Sequence, residues 1–201
     1  MIRNQALRKD HARPTRNSGG MASPTPLTVV AVSGSLRAPS TTTALLQRIL
    51  DTVAAARPAD SRLVELAPLA VDLARAVTGG ERSASVSAAL EAVSAADLLV
   101  VGTPVYRGSY TGLFKIFIDL VDQSALAGTP VLIAAGGGND QHSLVIEHEL
   151  RPLFGFFQAL TAPVGVYAKP GDYTDGVVTG AALLATIDEA VAATLPLLPA
   201  G

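Results

Sequence analysis

The amino-acid sequence predicts an α/β fold: a doubly wound parallel sheet of five strands, in the order 2-1-3-4-5, with helices on both faces. Three observations lead to this prediction. Short runs of β-branched and other apolar residues alternate along the 201-residue chain with longer segments that have apolar residues at helical spacing. The apolar runs contain few polar residues, which is typical of strands buried on both sides. Crossovers between parallel strands are right-handed, so few strand orders remain, and 2-1-3-4-5 is one of them.

The first half of the chain supplies two strands and two helices. A β-branched apolar run at 27–32 predicts a buried first strand. Residues 40–55 have apolar residues at helical spacing and stop shortly before a proline, so they predict a helix. Residues 62–66 predict a short second strand. The segment 67–82 contains a proline and a Gly-Gly pair and predicts irregular chain, and the alanine-rich segment 83–95 predicts a helix.

The second half continues the same alternation. Apolar runs predict the third, fourth and fifth strands at 97–102, 130–135 and 162–167. Helical spacing predicts helices at 112–121, 142–160 and 180–195, the middle one with a proline inside it. In such a sheet ligands bind beyond the carboxyl ends of the strands, where the order reverses between strands 1 and 3. The loops after strands 1, 3 and 4 are therefore the candidate site.

Composition excludes several classes of function. The chain has no cysteine, which excludes disulfides, thiolate zinc sites, iron–sulfur clusters and cysteine nucleophiles. The net charge of −2 argues against an electrostatic nucleic-acid binder. No apolar run is long enough to cross a membrane, and the first twenty residues lack the apolar region of a secretory signal. We expect a cytoplasmic protein with neither nucleic acid nor membrane as a partner, and with no metal site.

The amino-terminal segment differs from the rest of the chain. Residues 1–20 carry five basic side chains and one acidic one, few apolar residues and no periodicity. We expect residues 1–25 to form a disordered basic tail and residues 26–201 to form a single domain. Met21 offers a second possible translation start, so the tail is either an annotation artefact or a basic arm.

The loop after strand 1 is rich in hydroxyl groups and opens a helix. It carries the hydroxyls of Ser33, Ser35, Ser40, Thr42 and Thr43, together with the Arg37 guanidinium. A helix amino terminus adds free backbone N–H groups and the positive end of the helix dipole. The loop matches neither the dinucleotide motif G-x-G-x-x-G nor a P-loop. It predicts a phosphate monoester site; the alternative is that Ser40 or Thr41 only caps the helix.

The loops after strands 3 and 4 suit a flat ring. Residues 103–112 include Tyr106 and Tyr110 and could bond a ring edge through the backbone of residues 105–108, or could form an ordinary turn. Residues 136–138 are three glycines, which either let the backbone approach a ligand closely or form a flexible turn. A planar ligand between these two loops, with its phosphate in the first loop, accounts for all three. The combination indicates flavin mononucleotide (FMN).

The same three loops resemble the NAD(P)H-dependent FMN reductases of the flavodoxin-like superfamily. The matching motifs are Gly34-Ser35 through Ser40-x-Thr42, then Thr103-Pro104-Val105-Tyr106 followed by SYTGLFK at 109–115, and the Gly-Gly of the strand 4 loop followed by His142. The resemblance covers about residues 27–170. It is nearest to the branch that supplies reduced flavin to two-component, luciferase-like monooxygenases.

The resemblance implies a flavodoxin-like fold and a set of site residues. It implies that the FMN phosphate is held by Ser35, Arg37, Ser40 and Thr42. It implies that the isoalloxazine and ribityl chain are lined by Pro104, Val105, Tyr106 and Arg107 on one side and by Gly137 and Gly138 on the other. It also implies a homodimer or homotetramer with flavin near the subunit interface, and a flavin-dependent monooxygenase as partner.

The expected chemistry is transfer of a hydride from nicotinamide C4 to flavin N5. This transfer needs no protein acid or base, so no catalytic residue is assigned. Relatives that hold flavin tightly have an acidic residue and then Tyr-Asn after Thr-Pro, whereas Val105-Tyr106-Arg107 stands here. The difference favours flavin used as a substrate.

Three questions stay open at this point. The chain could instead be a flavodoxin-type electron carrier, or a quinone or azo reductase that contains FMN. His142 could touch flavin or nicotinamide. Tyr110, Phe114 and Phe117 could form a subunit interface or pack inside the domain.

Overall fold

The computed structural model describes residues 26–199, and the predicted tail at 1–25 lies outside the described residues. The strands are β1 (Leu27–Ser33), β2 (Ala59–Glu65), β3 (Leu98–Pro104), β4 (Pro130–Gly136), β5 (Leu160–Thr161), β6 (Val166–Ala168), β7 (Tyr173–Thr174) and β8 (Val177–Val178). The α-helices are α1 (Thr41–Ala56), α2 (Ala70–Val77), α3 (Ala84–Ala95), α4 (Gly112–Asp119), α5 (Arg151–Phe156) and α6 (Ala181–Thr194).

The main sheet has the predicted order. Its strands run β2-β1-β3-β4-β5, all pairs are parallel, and β6 also pairs with β4. The predicted doubly wound, flavodoxin-like topology is confirmed. The carboxyl ends of β1, β3 and β4 lie next to each other, so the loops that follow them meet at one edge.

Helices cover both faces of the sheet. One face packs alternate strand residues such as Val29, Ala31 and Val100 against α1 and α6. The other face packs Val30, Val32 and their counterparts in β3 and β4 against α2, α3, α4 and α5. Because both faces are covered, the central strands consist mostly of apolar residues. In the described part of the chain, no helix combines the length and the apolar character that a membrane span needs.

Hydroxyl side chains fix the starts of three helices. The Oγ of Ser40 accepts the Thr43 amide at 3.1 Å, and the Oγ of Ser83 accepts the Val86 amide at 3.3 Å. The Oγ1 of Thr111 accepts the Phe114 amide at 3.2 Å. Each bond satisfies an amide that the helix itself leaves free, and such caps stabilise a helix by about 1 kcal/mol each.

Two predictions in the first half need correction. The second strand begins at Ala59, three residues before the predicted start at 62, because its polar residues pair along the whole of β1. The segment 67–82 is not irregular: it contains the 3₁₀ turn Ala67–Leu69 and helix α2. Helix α2 is only two turns long and buries Leu73 and Ala76. Its flanking proline and glycines mark its ends rather than its absence.

The predicted helix at 142–160 is too long and too regular, because only residues 145–156 are helical without a break. The chain forms a 3₁₀ turn at Asp140–His142, a π-helical turn at Ile146–Leu150 and then α5. Pro152 lies in the first turn of α5, where its missing N–H is tolerated. The helix ends at Phe156, because Gln158 has φ +57° and the Ala159 amide bonds back to the Phe154 carbonyl at 3.2 Å.

The predicted fifth strand at 162–167 is misplaced. The chain pairs with β4 first in β5, which ends before this range, and again in β6, which overlaps only its last two residues. Pro163 lies in the gap and cannot donate a ladder hydrogen bond. The Arg151 guanidinium donates to the Ala162 carbonyl at 2.8 Å and thereby satisfies backbone that the ladder leaves out. The antiparallel pair β7–β8, which follows, was not predicted.

Candidate functional site

Backbone hydrogen bonds join the three candidate loops where they leave the sheet. The Gly34 amide donates to the Gly102 carbonyl at 2.7 Å, and the Val105 amide donates to the Gly136 carbonyl, also at 2.7 Å. The Gly137 amide donates to the Ala168 carbonyl at 3.0 Å. The loops after β1, β3 and β4 therefore start as extensions of the sheet and are fixed relative to one another.

Most hydroxyls of the β1–α1 loop already have partners within the chain. The Ser35 Oγ donates to the Arg37 carbonyl at 3.2 Å and accepts the Arg37 amide at 3.3 Å. Ser40 caps the amino terminus of α1, which is the helix-capping role named as the alternative to phosphate binding. The Ser33 and Thr43 hydroxyls are 2.9 Å apart, and Thr43 donates to the Glu65 carboxylate at 3.1 Å. The five hydroxyls therefore do not converge on one point, although their closeness in sequence suggested that they would.

The first turn of α1 keeps donors that can bind an anion. Within residues 26–199, the amides of Thr41 and Thr42 donate to no partner, because the Ser40 cap takes the Thr43 amide instead. The Thr42 side chain is buried and lies beside the β4 loop: a Cβ built on Gly136 would be 3.9 Å from the Thr42 Oγ1. The Arg37 side chain is exposed on the same loop. Two free amides, a helix dipole and a guanidinium fit a phosphate.

The β3–α4 loop is a tight turn that exposes Tyr106. The Tyr106 amide donates to the Ser109 carbonyl at 2.9 Å, and the Ser109 amide donates back at 3.2 Å. Between them Arg107 has φ +53° and Gly108 has φ +84°, the backbone of a two-residue hairpin turn. The Ser109 Oγ donates to the Glu149 carboxylate at 2.9 Å, so the turn is anchored to the π-helical segment. Tyr106 is 42% exposed and offers an apolar surface at the edge of the site.

Buried Thr111 connects the first two loops. Its amide donates to the Thr103 Oγ1 at 3.1 Å, and its own hydroxyl donates to the Gly34 carbonyl at 2.8 Å. A side chain at Gly34 would meet the Phe114 side chain at 2.9 Å, which is too close. These contacts leave the β1–α1 and β3–α4 loops little freedom to move apart.

The two glycines assigned to the flavin differ in what surrounds them. A Cβ at Gly137 would collide with the Tyr167 hydroxyl, which donates to the Asn139 carbonyl at 2.6 Å. Packing of Tyr167 and His142 against the backbone therefore favours glycine at position 137 whether or not a ligand is bound. A Cβ at Gly138 would have nothing within 4 Å. Gly138 is the position where a ring can approach the backbone.

Charged and polar side chains surround the β4 loop. The Lys169 ammonium contacts the Asp140 carboxylate at 2.8 Å. Partial burial, and next the nearby Asp140 charge, raise the pKa of Tyr167 above its ordinary value. The buried Nδ1 of His142 has no hydrogen-bond partner among the described residues. His142 thus follows the glycine loop, with its Nδ1 both shielded from solvent and unpaired.

The aromatic residues left open above pack inside the domain. Phe114 and Phe117 are fully buried, and the Tyr110 ring is 5.9 Å from that of Phe114.

A cleft of about 610 Å³ lies away from the three loops, between α3 and the end of α4, and none of its lining residues belongs to those loops. Across residues 26–199, no group of three histidine or carboxylate side chains could hold a metal ion.

Sequence reasoning missed three residues that shape the site: Glu65, Glu149 and Tyr167. Glu65 had a usable signal, since it ends strand 2, which was predicted to lie beside strand 1. Glu149 and Tyr167 had none, because their contacts with Ser109 and with the β4 loop span 40 and 28 residues of sequence.

Together the fold and the loops define a class: a flavodoxin-like α/β protein whose loops after β1, β3 and β4 meet at one edge of the sheet. The family model described as NADPH-dependent FMN reductase matches residues 27–174, and the chain belongs to this family. The chain is an oxidoreductase that reduces FMN with NAD(P)H. The predicted family, cofactors and enzyme class are confirmed.

Relatives and a solved structure agree with this assignment. The chain is 48% identical over 172 residues to "NADH-dependent FMN reductase SfnF" of Pseudomonas fluorescens (strain Pf0-1), covering 86% of this chain and 92% of that protein. It is 45% identical over 172 residues to "FMN reductase (NADPH)" of Pseudomonas aeruginosa, with the same two coverages of 86% and 92%. An oxidoreductase of Corynebacterium diphtheriae superposes with a TM-score of 0.78 at 36% identity, covering 86% of this chain and 97% of that one.

Proposed function

We propose that the protein binds FMN as an exchangeable substrate, transfers a hydride to it from NAD(P)H and passes the reduced flavin to a flavin-dependent monooxygenase. The observation that carries the proposal is the pair of free amides at Thr41 and Thr42, directly beside the two ring-facing loops. These amides, with Arg37 and the Thr42 hydroxyl, hold the phosphate. Ser35 donates its hydroxyl proton to the Arg37 carbonyl, whereas Ser40 only accepts the Thr43 amide and keeps its own hydroxyl proton for the phosphate.

The ring has apolar surface available on both sides of the crevice. Leu36 is 44% exposed and Tyr106 is 42% exposed, and a flat ring can cover both. Pro104, Val105 and Arg107 complete the Tyr106 side, and the open backbone at Gly138 forms the other side.

When FMN is bound, its N5 supplies the acceptor for the hydride. The chain's own groups bind and orient the reactants. In the tight turn the Val105 and Tyr106 amides are already bonded, whereas the Arg107 and Gly108 amides have no partner among the described residues. These two amides and the positive end of α1 provide hydrogen-bond donors and positive potential in the crevice.

Purified full-length protein separates this function from the two alternatives. We expect a colourless preparation that oxidises NAD(P)H only when FMN is added, measured by loss of the nicotinamide absorbance. A yellow preparation that does not oxidise NAD(P)H would instead show a flavodoxin-type carrier. A yellow preparation whose turnover needs a quinone or azo dye would show the bound-flavin reductase.

The phosphate site is tested by comparing FMN with riboflavin, which lacks only the phosphate. A charge-assisted hydrogen bond contributes about 1.5–3 kcal/mol, so Arg37→Ala should weaken FMN binding roughly tenfold to a hundredfold. Riboflavin binding should hardly change, and the FMN effect should shrink as salt is added. Arg48→Ala removes the same charge from an exposed position farther along α1 and is the matched control. Equal wild-type affinity for the two flavins would refute the phosphate site.

We also propose that the protein forms a homodimer or homotetramer and works in the cytoplasm, where cells keep NAD(P)H. Phe156 is 63% exposed and borders a cleft of about 460 Å³ between α4 and α5, which supports a contact with a second copy there. Light scattering on wild type and Phe156→Glu tests this. A monomeric mass for wild type would contradict it.

Transfer to the monooxygenase is tested with the two enzymes on opposite sides of a membrane that passes only small molecules. NAD(P)H is supplied on the reductase side and FMN on both sides. Product formation by a flavin-dependent monooxygenase on the other side would show that released flavin carries the electrons. Absence of product in this arrangement, with product in the mixed solution, would contradict the exchangeable substrate.

A further inference from the structure

A carboxylate lies directly beside the turn of helix that offers its amides to the phosphate. Glu65 is the last residue of β2, and in the register of the sheet it is the partner of Ser33 in β1. Its Oε1 accepts a hydrogen bond from the Thr43 hydroxyl at 3.1 Å. Thr43 immediately follows Thr42, whose amide is free.

Two hydrogen bonds in a row, from Ser33 to Thr43 and from Thr43 to Glu65, both have their protons directed towards the carboxylate. Thr43 has one hydroxyl proton and gives it to Glu65, so in the 2.9 Å contact between Ser33 and Thr43 the donor is Ser33. Neither proton is therefore available to a phosphate at the helix start. Glu65 removes two donors from the loop and places a negative charge next to it.

We propose that Glu65 is an affinity-setting residue, whose carboxylate repels the FMN phosphate and keeps the flavin exchangeable. The inference rests on the phosphate site of the proposed function. It explains why a loop with five hydroxyls and an arginine can belong to an enzyme that must release its flavin after each reduction.

The charges are close enough for this effect to be measurable. Successive Cα atoms are about 3.8 Å apart, so a phosphate on the Thr41 and Thr42 amides lies within roughly 10 Å of the Glu65 carboxylate. This separation is comparable with the Debye length, about 8–10 Å at 0.1–0.15 M salt. With a phosphate charge of about −1.5 to −2, we expect removal of the carboxylate charge to tighten FMN binding roughly three- to thirtyfold at low salt.

A purely structural role for Glu65 makes a different prediction. An acidic residue near a helix amino terminus stabilises the helix by about 0.3–1 kcal/mol through the helix dipole. If that were the whole role, losing the charge would lower the melting temperature slightly and would alter the affinities for FMN and riboflavin alike.

The experiment measures both flavins by fluorescence quenching on full-length wild type, Glu65→Gln and Glu65→Lys. Glutamine keeps an oxygen that can accept the Thr43 proton but carries no charge. We expect FMN binding to tighten in Glu65→Gln and further in Glu65→Lys, riboflavin binding to stay within about twofold, and the difference to shrink at high salt. Asp60→Asn is the control, because Asp60 is exposed on the same strand but about 16 Å from Glu65 along it.

The outcomes separate the inference from the proposed function. Equal wild-type affinity for FMN and riboflavin would refute the phosphate site on which the inference rests. A wild-type preference for FMN that neither substitution increases would overturn the role of Glu65 alone. Equal tightening of both flavins, or an equal effect of Asp60→Asn, would also overturn it. Melting curves without flavin identify any variant that has not folded, and the other Glu65 variant then decides.

Discussion

Replacing Gly137 by alanine tests whether this glycine serves the fold. The added methyl group would collide with the Tyr167 hydroxyl and lie 3.1 Å from the His142 Cβ. Tyr167 would have to leave the Asn139 carbonyl, a loss of about 0.5–1.5 kcal/mol. Overpacking adds about 1–3 kcal/mol, so the free energy of unfolding should fall by roughly 2–4 kcal/mol. For a chain of this size that is a fall in melting temperature of roughly 5–15 °C.

Thermal melts of three further variants make the test specific. Gly138→Ala should melt within about 2 °C of wild type, since nothing lies within 4 Å of its new Cβ, and should weaken FMN binding instead. Tyr167→Phe removes the colliding oxygen, so Gly137→Ala combined with Tyr167→Phe should cost at least about 1 kcal/mol less than the sum of the single changes. A wild-type melting temperature for Gly137→Ala, or strict additivity in the double variant, would refute the reasoning.

Two further predictions concern Tyr106 and the pH dependence of stability. Tyr106→Ala should weaken FMN binding by about 0.5–1.5 kcal/mol beyond the lost contact area, and unchanged affinity in a flavin titration would remove this loop from the site. The Arg151 guanidinium, through hydrogen bonds of 2.6 and 2.8 Å, lowers the pKa of Glu147 below its ordinary value. A lowered carboxyl pKa stabilises the fold above the unfolded pKa, and this contribution is lost as the pH falls through the folded one. Glu147→Gln should therefore melt about 1–2 °C below wild type at neutral pH, and a gap that persisted well below pH ~4 would contradict this.

The strand order could be predicted from the sequence, because it follows from the order of apolar runs and helical segments along the chain. Apolar runs buried on both faces, separated by helical periodicity, leave few topologies, and the topology alone places the loops after β1, β3 and β4 together. The starts of α1, α3 and α4 were also accessible, since a serine or threonine precedes each helix.

The errors have physical causes that a linear pattern does not contain. The two-turn helix α2 is held by packing of Leu73 and has too few residues for a clear period. The division of the fifth strand depends on Pro163 and on the Arg151 guanidinium reaching the carbonyl of Ala162, eleven residues away.

The hydrogen-bond partners of the hydroxyls in the site likewise could not be predicted from the sequence pattern. Whether Thr43 turns to a phosphate or to Glu65 depends on side-chain rotamers and on a neighbouring strand. The reason for Gly137 is a tyrosine thirty residues further along the chain.

The two edges of the sheet have a consequence for how copies of the chain can assemble. An open edge strand invites another chain to add a strand to it, which is a route to aggregation. At one edge, β2 is largely exposed and carries Asp60, Arg62 and Glu65. At the other edge, β5 and β6 have two and three residues, with Pro163 between them. Charge protects the first edge, and shortness and proline protect the second. A continuous intermolecular sheet is therefore disfavoured on both sides, and any ordered assembly of this chain is expected to join through its helices.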